Sequence, residues 1–313
     1  MTRLAHGVGE GLESLRLLVT GASGFIGVRL CEEAAGRGAV VHGVSRRPAP
    51  DALPAVRWER ADLTEEAAAR ALVRRVQPDV VLHLASGVSG NRGADLVLPM
   101  LRANLVAAVN VMLAACEVGC GRVVLAGSME EPDLGDAEAV PQSPYAAAKW
   151  ATLTYARMFR ALYELPVVHL RIFMVYGPGQ RDLGKLVPYV TTSLLRGETP
   201  ELSSGDREID WIYVDDVVDA FLAAAVAPGG EGASLDIGSG ELVSVHTLVA
   251  HLRRLVGGEV QPRFGALPDR RLERVRVADP AGAATAIGWR HRTSLQEGLA
   301  RTVEFYRARL GRA

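Results

Sequence analysis

Along the first half of the chain, short apolar runs alternate with longer stretches in which Ala and Leu recur at helical spacing. Leu15–Val19, Val40–Ser45, Val56–Glu59, Val80–Leu84, Arg122–Ala126 and Val167–Phe173 are the runs, short and mostly apolar, as strands buried on both faces of a sheet require. Between them the pattern predicts helices ending near Arg37, from Thr64 to about Val76, and from about Leu98 to Val118. Thr64 is a hydroxyl cap, with Glu65 and Glu66 in the first turn, where the helix dipole favours negative charge. Regular alternation of strand and helix predicts an α/β protein with a doubly wound parallel sheet of the Rossmann kind. Tyr176-Gly177-Pro178-Gly179 then turns the chain away from the sheet, and Asp215–Val226, Ser234–Ile237 and Ser244–Val256 follow as helix, strand and helix. The division expected is a loose leader over 1–14, a dinucleotide-binding domain over 15–176 to which segments near 209–240 return, and a smaller substrate-binding α/β region over 177–313.

The first strand runs directly into Thr20-Gly21-Ala22-Ser23-Gly24-Phe25-Ile26-Gly27. Strand, glycine turn and helix in that order open a dinucleotide-binding unit. Gly21 allows the tight turn, Gly24 lets the backbone approach a pyrophosphate, and Gly27 lets helix and strand pack closely. The main-chain N–H groups of Ser23, Phe25 and Ile26 then face the phosphate charge. An ordinary βα turn would need fewer glycines at these places. The second strand ends in Ser45-Arg46-Arg47, where a site for NAD usually places a carboxylate on the ribose 2′-hydroxyl. A small hydroxyl and two guanidiniums suit phosphate oxygens instead, so the expected cofactor is NADP(H). Asp62 and Leu63, past the third strand, stand where an adenine edge is read, and Leu84, Ala85 and Ser86 end the fourth strand at the same crevice.

Composition changes this picture little. A chain of 313 residues that is 49% hydrophobic and 23% charged, with net charge −1, has length for about two domains and gives no electrostatic reason for nucleic acid or an anionic membrane as partner. No apolar run approaches the roughly 20 residues that span a bilayer. Cys31, Cys116 and Cys120 lack metal-ligand spacing, so no metal is expected, and three thiols of this kind fit a reducing cytoplasm. Lys149 and Lys185 are the only lysines among 35 basic residues.

Lys149 lies four residues after Tyr145, and Pro144 suits the first turn of a helix that would carry both on one face. An ammonium beside a phenol stabilises the phenolate and draws its pKa down from about 10, which fits Tyr145 for proton exchange with a carbonyl or hydroxyl. Ser128 ends the fifth strand, where ligands bind in such sheets. By themselves a packed tyrosine and a solvated lysine would be the better explanation of the helix; the glycine turn, Ser128 and the rarity of lysine together reverse that preference in favour of chemistry.

With TGASGFIG, the Ser128/Tyr145/Lys149 set, LRIFMVYGPGQ (Leu170–Gln180), IDWIYVDDVVDAF (Ile209–Phe221) and ADPAGAATAIGW (Ala278–Trp289) in that order, the chain resembles the extended short-chain dehydrogenase/reductase family, in its nucleotide-sugar-modifying branch, over Leu15 to Tyr306. The resemblance implies that Ser128 hydrogen-bonds the reacting oxygen, Tyr145 is the acid/base, and Lys149 holds the cofactor ribose. It further implies that Asn104 supports the lysine through water, that Phe173 faces the cofactor, and that the enzyme is a homodimer. A nucleoside diphosphate-sugar would contact Ser86, Met129, Met174, Arg207 and Arg274.

Departures from the family pattern sharpen the reading. Met174 stands where many relatives have a substrate-binding Asn, whose hydrogen bonds a thioether cannot replace. Ile209 stands where an Arg is common, with Arg207 two residues earlier. Sugar 4,6-dehydratases resemble Thr-Asp-Glu where this chain has Ser128-Met129-Glu130, so the proton-delivering Asp is a methionine while Glu130 remains. Pro132-Asp133 replaces the usual Tyr-Gly. These residues favour an NADPH-dependent reductase acting on a keto group, at C4, of a nucleotide-linked deoxysugar. A redox-neutral dehydratase or epimerase is the alternative, and a non-catalytic NADP sensor a third.

Overall fold

The computed structural model describes residues 11–46, 53–89, 91–133, 135, 138–269 and 275–311, which fall into two compact units. The first comprises residues 1–172, 218–236 and 281–289. Its strands are β1 (Arg16–Thr20), β2 (Val40–Ser45), β3 (Arg57–Arg60), β4 (Val80–His83), β5 (Arg122–Ser128), β6 (Val167–Ile172) and, in the second half of the chain, β9 (Ser234–Ile237). They form one sheet in the order β3-β2-β1-β4-β5-β6-β9, with every neighbour from β3 to β6 parallel. The order reverses between β1 and β4, which is the switch point where such sheets open a ligand crevice at their carboxyl ends. Leu17, Leu18, Val81, Val123 and Val124 are fully buried, as mostly apolar runs covered by helices on both faces must be.

Around the sheet run α1 (Phe25–Gly36), α2 (Glu66–Val76), α3 (Val97–Met100), α4 (Ala107–Val118) and α5 (Pro144–Tyr163). Thr64 does not cap α2. Glu65 occupies the cap position without a side-chain bond, and the Thr64 hydroxyl donates instead to Asp62 Oδ1 at 2.8 Å. A single-turn 3₁₀ segment (Ala94–Leu96), α3, a π-helical stretch (Leu101–Val106) and α4 together make one 25-residue helix, Ala94–Val118. Contrary to the expectation from consecutive apolar residues, this helix is long and apolar enough by length and composition to cross a membrane; Arg102, Asn104 and Asn110 interrupt the run and hide it from a simple count. Its second half serves the core, where Ala107, Val111, Met112, Ala114 and Ala115 are buried and Asn110 donates to the Leu63 and Thr64 carbonyls, whereas Val97, Leu98 and Leu101 in its first half are exposed.

The second unit comprises residues 173–217, 237–280 and 290–313. A small sheet of β7 (Met174–Tyr176), β8 (Glu208–Tyr213) and β10 (Leu242–Ser244) has the order β10-β8-β7. Against it lie α8 (Val245–Val256) and α10 (Leu295–Leu310), and α6 (Leu186–Leu195) packs on these two helices. In α8, Val245, Leu248, Val249 and Leu252 are buried, the i, i+3, i+4, i+7 stripe of a helix with one apolar face. Helix α7 (Val214–Val226) contributes to both units and α9 (Pro280–Ile287) almost wholly to the first. Asp210, fully buried on β8, accepts from the Ser239, Gly240 and Ala278 N–H groups and from the Ser239 hydroxyl. The IDWIYVDD motif therefore contains the polar anchor of this unit, joining three separate stretches of chain.

Candidate active site

The glycine turn has the geometry that its sequence demands. Gly21 has φ +69°, and a Cβ there would lie 2.8 Å from Ala85 N and the Leu84 carbonyl carbon. A Cβ on Gly27 would lie 2.2 Å from the Gly21 carbonyl oxygen, so the helix can start against the strand only without a side chain. Gly24 is the N-cap of α1 and no side chain caps the helix, which leaves its first N–H groups directed to a ligand. Ser23, Phe25 and Ile26 are partly exposed in this turn. Its open floor, closed only where glycine is present, fits a dinucleotide pyrophosphate.

At the end of β2, Ser45 Oγ is 3.0 Å from Ser23 Oγ, so two hydroxyls meet beside the turn. Arg46 follows as an exposed residue, and Arg47 lies outside the described residues. Asp62 accepts from both the N–H and the hydroxyl of Thr64. Those bonds, and more weakly the Arg46 guanidinium, hold its carboxyl below the ordinary value. Leu63 is buried. Leu84 and Ala85 follow β4, the Ala85 N–H donating to Thr20 Oγ1 at 3.0 Å. Phe173 is buried in the second unit, its N–H donating to the Ile237 carbonyl.

Ser128, Tyr145, Lys149, Ser86 and Asn104 all fall in the first unit, and the structure brings them together. Ser143 caps α5 by accepting from Ala146 N–H at 3.0 Å, with Pro144 in the first turn. That start places Tyr145 and Lys149 on the buried helix face. Tyr145 is buried beside Ser128 and Ser86, whose hydroxyls both act on its phenol. Lys149 Nζ donates to the Ala126 carbonyl at 2.7 Å. Ser86 Oγ donates to Asn104 Oδ1 at 2.5 Å, and the Asn104 amide donates to the Gly87 and Met100 carbonyls. Asn104 lies within the π-helical stretch, a distortion found often at functional sites. Its side chain braces Ser86, a direct partnership that the sequence pattern does not reveal.

The expected effect of Lys149 on Tyr145 is not what the structure has. The ammonium stands 5.9 Å from the ring centroid. Burial pushes the phenol well above its ordinary value, with the neighbouring Ser128 and Ser86 hydroxyls opposing and the charges of Glu130 and Glu131 adding to it. Desolvation of a phenolate outweighs a cation at that distance. Burial also draws Lys149 down to about 8, against the opposing charge of Glu131.

Glu130 is exposed, and its carboxylate accepts from the Ser143 hydroxyl at 3.2 Å; it braces the start of the helix that carries Tyr145. Met129 is half-buried, its N–H donating to the Ile172 carbonyl. In the second unit, Met174 pairs with Trp211 in register, and the Arg207 carbonyl accepts from Val245 N–H just before β8. Arg274 lies outside the described residues. Among the described residues no cluster of His, Cys, Asp or Glu could hold a metal.

Two polar sets are not evident from the sequence. Thr20 Oγ1 lies 2.9 Å from His83 Nδ1 and joins β1 to β4. His83 is drawn down to about 3 by burial and then by the Lys149 charge, so it is neutral at ordinary pH. Glu131 and His169 form a second pair, 1% and 2% exposed. An isolated histidine inside the apolar run Val-Val-His-Leu-Arg-Ile was the available signal.

Residues 17–238 match the model of the NAD dependent epimerase/dehydratase family. The chain is 33% identical over 311 residues to UDP-glucose 4-epimerase of Mycolicibacterium smegmatis, covering 94% of this chain and 99% of that one. It is 30% identical to dTDP-glucose 4,6-dehydratase of Streptomyces antibioticus (94% and 92% covered) and 25% identical to dTDP-4-dehydro-6-deoxyglucose reductase of Escherichia coli (94% and 98%). UDP-glucose 4-epimerase of Thermotoga maritima, solved with UDP-glucose, superposes with a TM-score of 0.86 at 26% identity, over 95% of this chain and 100% of that one. MoeE5 in complex with UDP-glucuronic acid and NAD gives 0.82 at 35% identity, over 94% and 99%. With the family pattern running from the first strand of the large sheet to its last, and the glycine turn and Ser-Tyr-Lys cluster formed within it, the chain belongs to the NAD dependent epimerase/dehydratase family.

Proposed function

We propose that the enzyme reduces a keto group, at C4, of a nucleoside diphosphate-linked deoxysugar with NADPH. The observation that carries this reading is the end of β2, where Ser45 meets Ser23 and Arg46 follows in place of a carboxylate for a ribose 2′-hydroxyl. Tyr145, buried beside Ser128 on the α5 face that also carries Lys149, is protonated at ordinary pH and placed to give a proton to an alkoxide formed there. The glycine turn from Gly21 to Gly27 and Lys149 would hold the nicotinamide dinucleotide, which when reduced would supply the hydride. As negative charge develops on the sugar oxygen, Tyr145 donates its proton there and Ser128 orients the oxygen by a hydrogen bond. Lys149 holds positive charge behind the pair, and Ser86, fixed by Asn104, closes the site beside Tyr145. Such general-acid help contributes about 10²–10⁴-fold, and orientation supplies much of the rest.

NADPH as reductant is supported by the end of β2, where the Ser45 and Ser23 hydroxyls meet and Arg46 follows without a carboxylate. The notable contrast is that MoeE5 was solved with NAD. Nucleotide-sugar as substrate is supported by the ligands of the structural neighbours. A second reading, a redox-neutral epimerase, is favoured by one observation: Ser128, Tyr145 and Lys149 form the cluster in a chain similar to two UDP-glucose 4-epimerases. Full dehydration is disfavoured because Met129 has no proton to deliver. For a homodimer the first unit offers an apolar surface on Val97, Leu98, Leu101 and, on α5, Tyr155, all exposed.

The test is the cofactor balance. Incubated with a panel of nucleotide-linked 4-keto and 3-keto sugars, the enzyme is expected to oxidise NADPH stoichiometrically. Conversion of UDP-glucose or UDP-glucuronic acid over many turnovers, with no net cofactor oxidation, would replace this reading with the epimerase one. Arg46→Ala should weaken NADPH binding about tenfold or more, the loss of a charged hydrogen bond, and leave NADH nearly unchanged; equal losses in fluorescence titrations would remove the 2′-phosphate assignment.

A further inference from the structure

Directly behind Ser128 the chain buries an acid and an imidazole. The turn after β5 closes with the Glu131 N–H donating to the Ser128 carbonyl at 3.0 Å. The Glu131 side chain then folds back, and its Oε1 accepts from Ser128 N–H at 2.7 Å. Its Oε2 lies 3.3 Å from His169 Nε2 on the adjacent strand β6. On its far side, His169 Nδ1 is 2.8 Å from Ser234 Oγ on β9. A Cβ on Gly127 would lie 2.2 Å from His169 Nε2 and 2.8 Å from Glu131 Oε1, so β5 carries glycine where the pair passes beneath it. Three adjacent strands are thus tied through one carboxylate to the main chain of Ser128.

We infer that Glu131, backed by His169, is a positioning residue for the reaction proposed above: it fixes the main chain of Ser128 and supplies the buried negative charge against which the Lys149 ammonium is held. Burial alone would raise the Glu131 carboxyl, but His169, the Ser128 N–H and Lys149 outweigh it and keep it ionised. Lys149 Nζ is bound to the Ala126 carbonyl of β5, and Glu131 to the Ser128 N–H two residues further along the same strand; Tyr145 from its own helix and His83 from β4 are the other groups that act with it. His83 is neutral and the carbonyl uncharged. Of these four, Glu131 is the one that carries a full negative charge at neutral pH. Glu130, one residue earlier, acts on Tyr145 and is bound to Ser143.

The inference rests on the proposed reaction for its meaning but has a readout of its own. With Lys149 and Lys185 the only lysines, and Lys185 exposed, lysine labelled with ¹³C at Cε gives two signals that titrate separately. In the wild-type enzyme the Lys149 midpoint is expected near 8, with Lys185 as the internal control. Glu131→Gln keeps an oxygen for Ser128 N–H and removes the charge; the Lys149 midpoint should then fall by about one pH unit, a tenfold change in its acid dissociation constant. The alkaline limb of turnover should move with it. A double variant, Glu131→Met with His169→Leu, replaces the pair by apolar groups of similar size and should give the same shift if the single variant does not fold. An unmoved Lys149 midpoint in a folded variant overturns the inference, whatever happens to activity. A midpoint that moves in an enzyme unable to reduce any keto-sugar nucleotide supports the inference and sinks the proposed reaction instead.

Discussion

Two glycines of α1 should respond oppositely to the same methyl group. Gly27, in the first turn, has the Gly21 carbonyl oxygen 2.2 Å and the Ala22 Cα 2.9 Å from the place of a Cβ. Both neighbours are main chain, so nothing can rotate aside, and ordinary contact at about 3.4 Å or more requires the helix start to move by roughly 1 Å. Overpacking of this kind costs about 1–3 kcal/mol, offset by up to about 1 kcal/mol from the better helix propensity of alanine. Gly36, at the other end, has nothing within 4 Å of its Cβ place, so Gly36→Ala should keep the propensity gain alone, a few tenths to about 1 kcal/mol. Thermal unfolding should separate the variants, Gly27→Ala below and Gly36→Ala at or above the wild type, by on the order of 2 °C per kcal/mol for a large chain. Cofactor titration adds the functional half: displacing the helix start moves the N–H groups of the phosphate turn, so Gly27→Ala should bind NADPH at least tenfold more weakly, and Gly36→Ala normally. The reasoning fails if Gly27→Ala melts with the wild type and binds cofactor equally well.

Three further expectations concern the site. Tyr145→Phe keeps the ring and removes the proton, so turnover with a keto-sugar nucleotide should fall by two orders of magnitude or more while NADPH affinity, by titration, stays within a few fold. Glu130→Gln preserves an acceptor for Ser143 and should lower turnover far less than Tyr145→Phe; a loss of equal size in steady-state rates would show that Glu130 moves a proton itself. Lys149→Met should be inactive, and its stability relative to the wild type should depend on pH. The folded lysine is depressed from 10.5 to about 8, so burying its charge costs stability fully below pH 8, and that cost fades as pH rises towards 10.5, by roughly 3 kcal/mol in all. Denaturant titrations should therefore find the methionine variant gaining most below pH 8, and a pH-independent difference would contradict the buried charge.

The large sheet was legible because its strands are short, mostly apolar and separated by helices, and because the glycine turn pins the register of the first βα unit. Tyr145 and Lys149 were legible from their spacing and from Pro144. What spacing could not reveal was the balance between burial and charge at Tyr145, since desolvation depends on what else surrounds the hydroxyl. Glu131 was passed over for Glu130, although only the former is buried; adjacent residues in a turn point in different directions, and the sequence does not say which turns inward. Asp210 read as part of a motif without a role until four donors from distant segments converged on it. The small second unit was read least well, because β7 and β10 are three residues each and too short to show an alternation.

The edge strand β9 is made late. Synthesis delivers β1 to β6 by residue 172, but the strand that pairs beside β6 begins only at Ser234, after the chain has left for the second unit and returned. Throughout that interval of translation, β6 presents an unpaired row of N–H and carbonyl groups, the kind of edge that recruits other strands. A fragment cut at the apparent domain boundary near Tyr176 would carry that open edge permanently. The dinucleotide-binding half of this protein is accordingly a poor module to transplant or express alone, and any fragment that keeps its edge closed must extend at least through Ile237.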